Sequence, residues 1–348
     1  MLMRPVRMFL TAALAAASLT LAACGSGTAT ADSGDAAKTV TVYTADGLGD
    51  WYGKQFAEFQ KQTGIAVQMI EAGSGEVVSR LQKERTNVQA DLVVTLPPYI
   101  QQADADGLLQ PYTPAGADKV TGGSANYVPV VNNYLCFIYN PAHLPAAPKT
   151  FDDLLDAKLA KKLQYSTPGQ AGDGTAVLLH LQHILGKEKA LEYLKKLEAN
   201  NVGPSSSTGK LQPKVSKGEI WVANGDVQMN LASINNDRSN FKIFFPAGPD
   251  GKPSTFALPY VMGVAAGAPH ADAAKKLADF LLSPAAQQQV SAQAYGIPAR
   301  SDVKPTDAQY RQVEQALTGV EIWQPDWTTI LAENKADIAA YNKALGLS

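Results

Sequence analysis

Short runs of alternating apolar and polar residues, each followed by apolar positions at helical spacing, recur along this chain. The first run, residues 39–45, is rich in Val, Thr and Tyr and closes on Asp46 and Gly47, which predicts a strand. Asp50 stands as the cap of a following helix. Tyr52, Phe56 and Phe59 share one face of it, and Gly64 supplies the stop. A second strand over 66–71 runs into Gly73, Ser74 and Gly75, and a helix with Val77, Val78 and Leu81 on one face follows. A third strand, 91–95, closes on Pro97 and Pro98. Strands alternating with helices, with a loop at each strand's C-terminal end, predict a parallel α/β sheet.

The middle of the chain repeats this order: a strand over 163–166, a glycine-rich loop over 168–174 and helices over 176–185 and 188–197. A short helix over 210–217, a strand over 220–223, a helix opened by Asp226 and a strand over 241–245 complete it. Two longer apolar stretches, 127–139 and 256–266, are each suited to cross between two lobes as an extended hinge. Beyond the second, only helices are predicted, over 271–282, 284–294, 308–317 and 328–345. No internal sequence repeat is present, so two lobes would share architecture and not sequence.

The N-terminal pattern differs. Arg4 and Arg7 precede an apolar run over 8–23, and Cys24 follows directly on Leu21-Ala22-Ala23. A basic start, a short apolar stretch and small residues at the cut describe an export signal over 1–23. With the cysteine there it looks like a lipobox, in which Cys24 is lipidated as the mature N-terminus; an ordinary signal peptide with an incidental cysteine is the plainer alternative. The run is too short for a membrane span. Residues 24–37 carry no large apolar side chain and read as a flexible tether. The protein is therefore expected outside the cytoplasm, anchored to a membrane by acyl chains, in the periplasm or at the cell surface.

Composition narrows the classes further. The 348 residues carry 30 Lys plus Arg and 32 Asp plus Glu; loss of Arg4 and Arg7 with the signal leaves 28 basic against 32 acidic, a net charge of −4. No basic cluster suits nucleic acid. With Cys24 lipidated, Cys136 has no disulfide partner, and its apolar neighbours make it a small core residue. His180 and His183 have zinc-compatible spacing but no companion ligands, so they read as packing histidines. No Gly-x-Ser-x-Gly elbow and no His/Asp metal cluster supports a hydrolase. No cofactor is implied.

Three helix starts are rich in glycine and small hydroxyls: Ser74-Gly75, Asp173-Gly174-Thr175 after Gly172, and Ser206-Ser207-Thr208 before Gly209. Free amides and the helix dipole make such starts suitable for anions, and glycine lets the backbone approach. Lys210 adds a point charge. The same loops also read as plain strand-to-helix turns. For a cation, Asp46 lies at the end of the first strand, with Tyr43 and Trp51 near in sequence. Tyr260 lies on the second crossing, and Glu76 and Asp173 are further carboxylates. Asp46 and Asp50 as caps, with Trp51 in the core, is the plainer alternative.

The lipobox, tether, two α/β lobes and two crossings resemble a type II periplasmic substrate-binding protein of an ABC transporter. The runs 42–52, 71–81, 94–98 (with Thr95), 206–211 and 222–230 are similar to the 2-aminoethylphosphonate-binding branch of the ferric/thiamine/polyamine-type group, over roughly 39–299. The resemblance implies lobes of mostly parallel sheet flanked by helices, one over 38–132 plus 264–348 and the other over 133–263. It implies a monomeric receptor that closes on a small zwitterionic phosphonate and passes it to an ABC permease. Tyr43, Asp46, Trp51, Ser74, Gly75, Glu76, Thr95, Asp173, Gly174, Thr175, Ser206, Ser207, Thr208, Lys210 and Tyr260 are then candidate ligand contacts. Iron-binding relatives use adjacent tyrosines, and this chain has no such pair.

Overall fold

A computed structural model describes residues 39–347. The export signal, Cys24 and the tether lie outside the described residues.

The chain opens as the alternation predicts. Strand β1 (Thr39–Ala45) leads to helix α1 (Gly49–Thr63), then β2 (Ala66–Ala72), α2 (Ser74–Lys83) and β3 (Leu92–Thr95). α1 begins at Gly49, so Asp50 sits in the first turn and is not the cap. Gly64 ends the helix in the left-handed conformation, as its lack of a side chain favours. Trp51, Tyr52, Phe56 and Phe59 bury the inner face of α1. Helix α3 (Tyr99–Ala105) and the short β4 (Leu109–Gln110) follow.

The chain then crosses. β5 (Val128–Asn132) belongs to the first sheet, and β6 (Leu135–Tyr139) to a second one. That second sheet also holds β7 (Leu163–Gln164), β8 (Val222–Asp226) and β9 (Lys242–Phe244), in the order β7-β8-β6-β9. Helices α4 (Gly172–Leu185), α5 (Lys187–Leu197), α6 (Leu211–Ser216) and α7 (Val227–Asn236) lie between these strands in sequence. The return passes through β10 (Ser254–Phe256) to β11 (Tyr260–Ala265), wholly buried in the first sheet. The outgoing and returning segments pair with each other: Tyr134 bridges Ala257, and Leu258 donates its N–H to Asn133 O at 2.8 Å.

The first sheet runs β12-β5-β11-β3-β1-β2, with β12 at Ile297–Pro298 and β4 beside β11. Only β1 with β2 and β1 with β3 are parallel pairs; β11 is antiparallel to β3, β4 and β5. In the second sheet β6 is antiparallel to both neighbours, and β7 with β8 is parallel. Both sheets are therefore mixed. A strand arriving from the other sheet need not match the direction set by the local crossovers, whereas βαβ units must.

After β11 the chain is mostly helical, as expected, except for β12 and β13 (Glu321–Trp323), which pairs with β10. The last helix, Trp327–Leu345, packs against both α3 and α5. It is tied down by the Tyr341 and Tyr165 hydroxyls at 2.9 Å and by Lys187 on Asp337. Among the described residues, no helix is long and apolar enough to cross a membrane.

Candidate functional site at the meeting of the two sheets

Strand ends and helix starts from both sheets converge on one interface. α2 and α4 each present their N-terminal turns there. Gly75 N–H, at the start of α2, donates to Gln170 O at 2.9 Å, in the loop leading to α4. A β-carbon on Gly73 would run into the Ser206 carbonyl and stand 2.9 Å from that of Gln170, so glycine sets how closely the sheets approach. Tyr99 and Thr175 meet hydroxyl to hydroxyl at 2.7 Å across the same seam.

The third loop is tied to the first strand. Asp46 Oδ2 accepts the Ser207 hydroxyl at 2.6 Å and Gly209 N–H at 3.1 Å. The donors expected to hold an external anion at this loop are here committed to a carboxylate of the protein. Gln228, in the first turn of α7, donates to Gly47 O at 2.8 Å. Gly47 has φ of +124°, and a β-carbon there would strike the Tyr260 hydroxyl, so both its backbone and its space demand glycine. Beside this contact lies a cavity of about 290 Å³ whose lining includes Asp46, Glu71, Gly209, Gln212, Gln228 and Asn236.

Three carboxylates gather in the interface. Asp46 directly follows β1, Asp173 sits in the first turn of α4, and Asp226 ends β8 and caps α7 by accepting Met229 N–H at 2.7 Å. The Tyr260 hydroxyl reaches Asp46 O at 2.9 Å and Asp226 Oδ2 at 3.3 Å. Asp173 is 3% exposed, and its Oδ1 has no hydrogen-bond partner. Burial, then the charges of Asp226 and Asp46, push its carboxyl well above the ordinary range. Asp226 is pushed up to about 6, chiefly by burial. Burial and the same three carboxylates hold the Tyr260 phenol protonated.

The remaining candidates take different places. Ser74 is buried, and its carbonyl accepts the Thr95 hydroxyl at 3.3 Å. Glu76 accepts Gly73 N–H at 3.3 Å and so closes the start of α2. Gly174 lies against the Ser166 carbonyl, and the Thr208 hydroxyl reaches Ser166 Oγ at 3.0 Å. The Ser206 carbonyl faces Gly73, and Lys210 is exposed. Tyr43 lies apart from this cluster, whereas Trp51 is among the residues lining the cavity of about 290 Å³. The Tyr43 ring carries Arg80, 4.5 Å from its centroid, and its hydroxyl donates to Glu84. Trp51 is fully buried and donates Nε1 to Ala286 O at 3.4 Å. The histidines pack: His180 meets Ser254 Oγ at 3.1 Å, and His183 stacks on Trp323 with centroids 4.0 Å apart.

Residues 54–316 match the bacterial extracellular solute-binding protein family. The chain belongs to that family. As a solute-binding protein it is an extracytoplasmic receptor and not an enzyme. It is 51% identical over 313 residues to a Salmonella paratyphi A periplasmic protein provisionally named as 2-aminoethylphosphonate-binding, covering 88% of this chain and 93% of that one. Among solved structures, the periplasmic binding protein P5PA superposes with a TM-score of 0.77 at 22% identity, covering 88% of this chain and 99% of that one. AfuA from Actinobacillus pleuropneumoniae, with fructose-6-phosphate bound, gives 0.77 at 21% identity over 90% and 100% of the two chains. At such identities these structures establish the shared fold of this solute-binding protein. Two residues of its interface, Asp226 and Gln228, are not among the candidate contacts read from the sequence. Both lie in the run 222–230, where the helix-opening role of Asp226 accounts for one carboxylate oxygen and hides the other.

Proposed function

We propose that this protein captures 2-aminoethylphosphonate, or a close aminophosphonate, between two lobes and delivers it to an ABC permease. The observation that carries the reading is the meeting of α2 and α4, one from each side, with three carboxylates beside them. Helix starts suit the phosphonate and carboxylates suit the ammonium. The name of the Salmonella relative supports the same ligand. In this reading the lobes are 38–132 plus 264–348 and 133–263, and they pivot on the paired crossings at Tyr134 and Ala257. The ligand's preference for the closed state shifts the population. Lipidated Cys24 holds a monomeric receptor at the membrane.

Calorimetry on the mature chain with 2-aminoethylphosphonate, phosphate, phosphite, choline and Fe(III) tests the assignment. Saturable binding of the aminophosphonate in preference to the others is expected. Tight iron binding with none for the aminophosphonate overturns it.

A further inference from the structure

We propose that Asp173 and Asp226, with Asp46 closing over them, receive the cationic end of the ligand. The receptor then selects solutes by their ammonium group. This rests on the reading of the interface as the solute site and adds the residues that choose the ligand.

The argument is one of unmatched groups. Asp173 Oδ1 is a buried acceptor with no donor. Asn133, 1% exposed, lies beside Asp226 at the start of the outgoing crossing. Its Oδ1 accepts Gln228 N–H at 3.2 Å, and its side-chain amide bears on the Asp226 carboxylate. Buried polar atoms are nearly always paired, because leaving one unpaired costs stability. An unused buried acceptor in this interface suits a ligand that brings a donor.

Charge points the same way. The groups whose charges bear on Asp173 and Asp226 are Asp46 from the turn after β1, each other from α4 and β8, and the Tyr260 phenol from β11. Cys136 on β6 is held as a thiol by burial, with the charges of Asp226 and Asp173 adding to it, and Glu71 stands near Asp46. Among the described residues none of the three aspartates forms an ion pair with Lys, Arg or His. Like charges desolvated together without a counter-ion are unfavourable, and an incoming ammonium supplies one.

The test is calorimetry with 2-aminoethylphosphonate and with ethylphosphonate, which keeps the anion and lacks the ammonium. Wild type should prefer the first by about 100-fold. Asp173→Asn and Asp226→Asn should each weaken it by roughly 10- to 100-fold, the range for a hydrogen bond to a charged group, and leave ethylphosphonate little changed. Without ligand, both variants should melt no lower than wild type. Equal affinity for the two phosphonates, an undiminished preference in both variants, or loss of folding in both overturns the proposal. If wild type ignores 2-aminoethylphosphonate but binds choline or ethanolamine, and Asp173→Asn loses that binding, the cation receptor stands and the phosphonate reading falls. If no ammonium compound binds, both fall.

Discussion

Asp46 and Ser207, 161 residues apart in sequence, are joined by a 2.6 Å hydrogen bond from hydroxyl to carboxylate. Gly209 N–H adds a second donor to the same oxygen. The two bonds latch the end of the first strand to the loop before α6. Asp46→Ala removes both and should weaken ligand binding by about 10- to 100-fold, since hydrogen bonds to a charged group contribute about 1.5–3 kcal/mol. Asp46→Asn retains an acceptor and should fall between. Calorimetry on the two variants measures this, and wild-type affinity in Asp46→Ala would remove the latch from the closing mechanism.

Gly73→Ala should block closure without harming either half. Gly73 has φ of −64°, which alanine adopts freely, so the added methyl meets trouble only from the Ser206 and Gln170 carbonyls opposite. Ligand affinity should drop at least about tenfold, as expected when a bound conformation is penalised by 1.4 kcal/mol or more. Small-angle scattering should show ligand no longer reducing the radius of gyration. The melting temperature of the ligand-free protein should barely move.

The carboxylates give a pH signature. Asp226 has a folded-state pKa of about 6, above its ordinary value near 3.9, so the folded state holds the proton more tightly than the unfolded chain. Its penalty on folding is absent below about pH 4 and grows as pH rises through about 6. Ligand-free Asp226→Asn should therefore melt above wild type at pH 7, and the gap should shrink on acidification and close only near about pH 4. His180, pushed down to about 4 by burial, pulls the other way, and comparing the two proteins at each pH cancels it. A gap that widens on acidification would contradict the sign.

Zinc should leave the protein unaffected. The His180 ring lies beside Phe256 and meets Ser254, while His183 stacks on Trp323, so the two rings are held by packing. Adding zinc should not raise the melting temperature. His180→Ala should cost several degrees through lost aromatic packing.

Much of this architecture was legible because local rules decide it. The order β1 to β3 follows from alternating residues punctuated by Gly64, Gly73 and Pro97, and Asp226 as a cap follows from its place before an apolar helix face. Strand direction was not legible, since the run 256–266 reads the same whichever way it enters a sheet. The three glycine- and hydroxyl-rich loops were visible as helix starts, but not their facing partners, which are set by contacts across more than a hundred residues. Trp51 and Tyr43 show the same limit. An aromatic ring near a strand end serves a ligand or a core equally well by composition, and here Arg80 and the Ala286 carbonyl take up their polar and π faces.

The bond between Asn133 O and Leu258 N–H, and the bridge of Tyr134 to Ala257, are made by main-chain atoms. If the proposed lobes move about this point, the hinge rests on main-chain bonds, and the side chains proposed to read the solute, such as Asp173, are free to vary independently of it.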